Sequence, residues 1–133
     1  MGFKFGLDVV PFYAGILTLL YIGLTARVIN LRRLLRVGIG SGGKEELKRA
    51  IRVHANFSEF VPLVLILMAF AELKGISANW LHTIGSVMIV SRLLHALGLG
   101  NHAGTSPGRF SGAALTYLVM IGLSLYLMIK FLK

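Results

Sequence analysis

The chain has no cysteine. That excludes a disulfide framework, a thiolate nucleophile of its own and any cysteine-ligated metal. Thiol chemistry here requires a thiol brought by a substrate. Charge is nearly as scarce. Only 14% of the 133 residues are Asp, Glu, Lys or Arg, where an ordinary soluble domain carries about 25%. With 56% hydrophobic residues and a mean hydropathy of +0.78, the composition excludes most soluble classes and requires lipid as part of the solvent. The His-Glu-x-x-His spacing is also missing, so no metal site is expected.

What is present is long apolar runs. A helix needs about 20 mostly apolar residues to cross about 30 Å of hydrocarbon, and four segments qualify. The run from Val9 to Ala26 is uncharged, with Asp8 placed to cap it and Pro11 in its first turn. It is too long for a signal-peptide core and lacks a clear cleavage site, so it reads as a retained transmembrane helix. The glycines at 38, 40, 42 and 43 break the chain. A second helix follows, whose uncharged part, Phe60 to Ala71, is too short to span alone. The residues before it, Asn56 and Glu59 among them, are therefore drawn towards the membrane. Gly75 closes this helix and Ser77 caps the third. Gly98, Gly100 and the polar stretch to Ser106 make the next connection, and Pro107 opens the fourth helix where a missing N–H costs nothing. The expected fold is an all-α integral membrane protein. It is a single domain over residues 1–133, a four-helix bundle of up-down topology with helices at about 8–36, 44–73, 77–99 and 107–132.

The net charge is +9. Its basic residues are not interleaved with exposed aromatics on a soluble module, so no nucleic acid partner is expected. Ten of the fourteen Lys and Arg lie around the 1–2 and 3–4 connections: eight between Arg27 and Arg52, with Arg92 and Arg109. By the positive-inside rule these two connections are cytoplasmic and both termini are outside.

The second helix carries most of the information. At about 100° per residue, Asn56 falls about 40° to one side of Arg52 and Glu59 about 20° to the other. The three form a stripe running down into the bilayer, where a charge costs several kcal/mol unless paired or wet. Arg52 and Glu59, about 10 Å apart along the axis, are expected not to touch. A structural pairing with another helix, such as Arg92 with Glu59, or a polar ligand pocket would each account for them. Pro62 leaves the Ser58 carbonyl without its helical partner. His54 lies about 200° from Arg52, facing headgroups or a second subunit. On the third helix Arg92 and His95 share a face. Arg109 stands in the first turn of the fourth, where the helix N-terminus adds about half a positive charge and suits an anion.

The segment Arg49-Ala-Ile-Arg52-Val-His-Ala-Asn56-Phe-Ser-Glu59-Phe-Val-Pro62 resembles the second-helix signature of the MAPEG family, membrane-associated proteins in eicosanoid and glutathione metabolism. Length, helix count and the basic end resemble that family over the whole chain, most of all its small bacterial members. The resemblance implies a bacterial inner-membrane homotrimer with glutathione as co-substrate, held between subunits near the cytoplasmic face. It implies that Arg52, Asn56 and Glu59 line the site from one subunit, with Arg32 and His54 approaching from the neighbour and Arg33 near the site. Arg92 and His95 border it, and Arg109 looks like the arginine that stabilises the glutathione thiolate. Phe60, His95 and Leu99 stand where eukaryotic members often have tyrosines.

The chemistry agrees with this. Arginines fork onto the two carboxylates of glutathione, Glu59 takes its ammonium, and Asn56 bonds either way. The expected function is a glutathione transferase, or also a peroxidase, acting on lipophilic small molecules that partition into membrane lipid. A non-catalytic trimeric scaffold or lipid-binding member is the alternative. A small multidrug exporter would need an acid within the first span, and there is none.

Overall fold

The computed structural model describes residues 6–101 and 106–132. Residues 102–105 of the polar stretch before α4, and the chain ends assigned above to the outside, lie outside them. Four helices make up the described chain, without strands: α1 (Val10–Leu35), α2 (Glu45–Leu73), α3 (Ala78–Asn101) and α4 (Pro107–Leu132). Each is long and apolar enough to cross a membrane. Many of their large apolar side chains face outward, Leu19, Leu34, Leu118 and Phe131 among them, as helices solvated by lipid should. Two apolar clusters hold the bundle. The larger joins Leu17 of α1, Val64 and Met68 of α2, Met88 of α3 and Leu123 of α4. The smaller joins Leu31 to Leu47 and Ala50 near the α1–α2 connection.

The start of α1 departs from expectation. Val9, not Asp8, is its N-cap, and no side chain of its own caps it. Glu72 does so from the far end of α2. Its Oε1 accepts from the N–H groups of Asp8 (2.8 Å) and Val9 (2.7 Å), and its Oε2 from that of Val10 (2.9 Å). A carboxylate shared among three otherwise orphaned donors satisfies both their hydrogen bonding and the positive end of the helix dipole.

At the other end of α1, Arg36 takes the left-handed conformation with φ 55° and its N–H bonds to the Arg33 carbonyl. Helix α3 runs past Gly98 and Gly100, which were expected to end it. Gly98 is needed for proximity, not for a turn. A Cβ placed on it would stand 2.4 Å from the backbone nitrogen of Arg109. Gly112 meets α3 in the same way, with its virtual Cβ 2.5 Å from the Ser91 carbonyl oxygen and 2.7 Å from the His95 nitrogen. These two glycines let α3 and α4 approach backbone to backbone, and this is the most extensive helix contact in the bundle. Near the opposite end, Gly85 makes room for the ring of Tyr13, whose hydroxyl reaches the His82 Nδ1 at 3.1 Å.

Candidate functional site

Two adjoining cavities open where α2, α3 and the start of α4 meet, at the basic end. The first, of about 220 Å³, is lined by Glu45, Lys48, Arg49, Arg52 and Asn56 of α2, His95 and Leu99 of α3, and Arg109 of α4. Four of those eight side chains are Lys or Arg. The second, of about 630 Å³, shares Asn56, His95 and Arg109 with the first and adds Ser106, Pro107, Phe110, Ala113 and Tyr117. Its added wall is largely apolar.

Local sequence explains how each side chain arrives there. Glu45, Lys48, Arg49, Arg52 and Asn56 recur at helical spacings of one, three and four residues, and so share one side of α2. Ser106 caps α4, accepting the Arg109 N–H at 3.3 Å on its hydroxyl and the Phe110 N–H at 3.0 Å on its carbonyl. With Pro107 at the first helical position, this fixes where Arg109 leaves the helix. Gly98 and Gly112 then set that turn against α3, which brings His95 and Arg109 to one cavity wall.

Behind the wall lies Arg92, only 3% exposed. Its Nη1 donates to Asn56 Oδ1 at 3.0 Å, its Nε to Ser91 Oγ at 3.3 Å, and its Nη2 to the Gly112 carbonyl at 3.3 Å and to the Thr116 hydroxyl. Thr116 in turn donates to the Gly112 carbonyl, so its oxygen accepts the Ser91 hydroxyl at 2.9 Å. All four acceptors are neutral. Among the described residues no carboxylate pairs with Arg92, so the Arg92–Glu59 pairing, one of the two alternatives open from sequence, is not made.

Of the residues singled out from sequence, Arg52, Asn56, His95 and Arg109 line the cavities and Arg92 supports them. The others lie elsewhere within one subunit. Glu59 lines neither cavity; it is half exposed and its Oε1 lies 3.9 Å from Arg52 Nη1. The two were expected not to touch, but the extended arginine side chain spans most of the two turns between them. Arg32 closes the α1–α2 connection, its Nη1 donating to the carbonyls of Val37, Gly38 and Gly40, the last at 2.9 Å. Arg33 is exposed on the last turn of α1. His54 sits between α1 and α2, stacked on Tyr21 with centroids 4.7 Å apart. Its Nε2 lies 3.0 Å from the Thr25 hydroxyl, which gives its own proton to the Tyr21 carbonyl. The histidine is therefore the donor.

Sequence reasoning missed Leu99, Phe110 and Tyr117 as lining residues, and Ser91 and Thr116 as anchors of Arg92. The last two did not stand out in the sequence, since Thr83 and Ser86 share α3 with Ser91, and Ser111 and Ser124 share α4 with Thr116.

The MAPEG family matches the chain over residues 10–129, and the chain belongs to it. It is 35% identical over 109 residues to the "Inner membrane protein YecN" of Escherichia coli K12, covering 82% of each chain. The protein of the same name from Escherichia coli O6:H1 is similar to the same extent.

Proposed function

We propose that this protein is a glutathione transferase that conjugates lipophilic electrophiles drawn from the bilayer. The observation that carries this reading is the shared wall. One cavity is lined by cations, the other largely by apolar groups, and Asn56, His95 and Arg109 border both. Glutathione, with two carboxylates and a thiol, suits the first. A hydrocarbon-soluble electrophile suits the second, and the reacting atoms then meet at the residues in common.

Arg52, Lys48 and Arg49 take the carboxylates. Arg109 and the N-terminus of α4 face the sulfur. A free thiol titrates near about 8.5, and adjacent positive charge favours the thiolate. The thiol proton leaves to water, the sulfur lone pair attacks the electrophilic carbon, a C–S bond forms, and the leaving group departs with its electron pair. Partition into lipid raises the electrophile's concentration beside the sulfur.

The working unit is a homotrimer in the bacterial inner membrane, with the basic end in the cytoplasm and the termini outside. The names of the two relatives support the membrane, and the ten basic residues around two connections support the orientation. Arg32, Arg33 and His54, remote from the cavities within one subunit, complete them from the neighbour.

Titration of detergent-purified protein with glutathione tests this directly. Thiolate absorbance near neutral pH and conjugation of a generic soluble electrophile are expected. Binding without conjugation would leave the non-catalytic alternative in its place, and no binding would end the glutathione reading.

A further inference from the structure

The contact between Arg92 and Asn56 settles a choice that the asparagine alone leaves open. A side-chain amide offers an acceptor edge and a donor edge, and Asn56 borders both cavities. A guanidinium only donates. Whichever amide atom lies 3.0 Å from Arg92 Nη1 must be the oxygen.

The guanidinium itself has no freedom to turn. Ser91 holds Nε, while Gly112 and Thr116 hold Nη2. Its charge is buried among neutral acceptors, and the Asn56 amide dipole lies with its negative end on that charge. The positive end, the N–H2 group, points away from Arg92.

We propose that Arg92 is a positioning residue that sets the polarity of Asn56, so that the wall common to both cavities presents a donor there. Buried charge at Arg92 is relayed through the amide dipole, and the ligand group received at Asn56 is an acceptor: a carboxylate, a carbonyl or the thiolate itself. Donor-only groups such as an ammonium are turned away from this wall. The identity of the ligand rests on the glutathione reading, but the polarity of the amide does not.

The test starts from detergent-purified protein titrated calorimetrically with glutathione. Asn56→Asp keeps the shape and still accepts from Arg92, but places an acceptor oxygen where the N–H2 stood. Its thermal midpoint should equal or exceed that of the wild type, while glutathione affinity falls at least about tenfold, the scale of one charge-assisted hydrogen bond. If Asn56 served only to hold Arg92, this variant would bind as the wild type does, and that result overturns the proposal.

Arg92→Lys still offers only donors and should bind within about threefold of the wild type. Arg92→Gln offers either edge, lets the amide turn, and should bind more weakly than Arg92→Lys at matched folded fraction. Equal binding by the two variants also overturns the proposal.

If the wild type fails to bind glutathione, the functional reading falls and the amide is read without ligand. In protein labelled with 13C-asparagine, the Asn56 Cγ signal is assigned by its loss in Asn56→Asp. It should move upfield further in Arg92→Gln than in Arg92→Lys, because the carbonyl loses its cationic donor. A signal that stays in place in Arg92→Gln overturns the proposal.

Discussion

Gly112 of α4 lies so close to Ser91 of α3 that a Cβ on it would stand 2.5 Å from the Ser91 carbonyl oxygen. The contact is backbone against backbone, so no flexible side chain can yield. Gly112→Ala gains up to about 1 kcal/mol of helix propensity, but overpacking of this kind costs about 1–3 kcal/mol. The clash also disturbs the carbonyl that receives Arg92 and Thr116. The balance is destabilising, and thermal unfolding in detergent should show a lower midpoint. An unchanged or raised midpoint would mean the helices separate easily.

Arg109 separates catalysis from binding. If glutathione binds as proposed, the contact of Arg109 with its sulfur strengthens as thiol becomes thiolate, so Arg109→Ala should leave glutathione binding within a few-fold while conjugation at pH 7 falls at least about tenfold, or about 1.4 kcal/mol. Raising the pH should recover part of the rate, since hydroxide then supplies the thiolate. Arg109→Lys should recover less than charge alone suggests. The same pH series on Arg33→Ala decides between the two arginines. A normal rate at pH 7 in Arg109→Ala with a loss in Arg33→Ala would reassign the role.

Arg52 and Glu59 touch each other at the surface, yet only Arg52 lines a cavity. Arg52→Ala should weaken glutathione by about 1.5–3 kcal/mol, the range for hydrogen bonds to charged groups. Glu59→Ala should weaken it less, since an exposed pair contributes little by itself. A larger loss in Glu59→Ala would place Glu59 in a site completed by the neighbouring subunit.

Glu72 caps α1 with both oxygens, so replacing one of them matters. Glu72→Gln keeps one acceptor but turns an N–H2 group towards backbone N–H donors. It should destabilise nearly as much as Glu72→Ala, by about 1–2 kcal/mol. Thermal midpoints of the two variants in one detergent provide the comparison. A glutamine variant as stable as the wild type would show that one oxygen suffices.

Assembly is checked by mass. In mild detergent, three copies of the 14.5 kDa chain should travel together. A stable monomer or dimer would leave Arg32, Arg33 and His54 without a route to the cavities.

Periodicity made much of this legible. Apolar runs located all four helices, and helical spacing placed Arg52 and Asn56 on one side of α2. Long-range partnerships were hidden. Nothing local to Glu72 announces that it serves a helix more than sixty residues earlier, because a helix start shows its own cap residues and not a visiting carboxylate. Gly98 misled for a related reason. The same residue permits a turn or a close approach, and only the position of α4 decides between them. Arg92 and His95 were legible as sharing a face of α3, but the neutral partners of Arg92 are a tertiary fact that spacing along one helix does not contain.

Gly98 and Gly112 have a further consequence for the space between His95 and Arg109. Because main chain rests on main chain there, the width of the gap is set by atoms that have no rotamers. Side-chain-packed walls breathe with temperature and with the surrounding amphiphile; this one has little to breathe with. The gap should therefore keep its calibre from one detergent to another and from thin bilayers to thick ones, even where the lipid-facing ends of the same helices adjust.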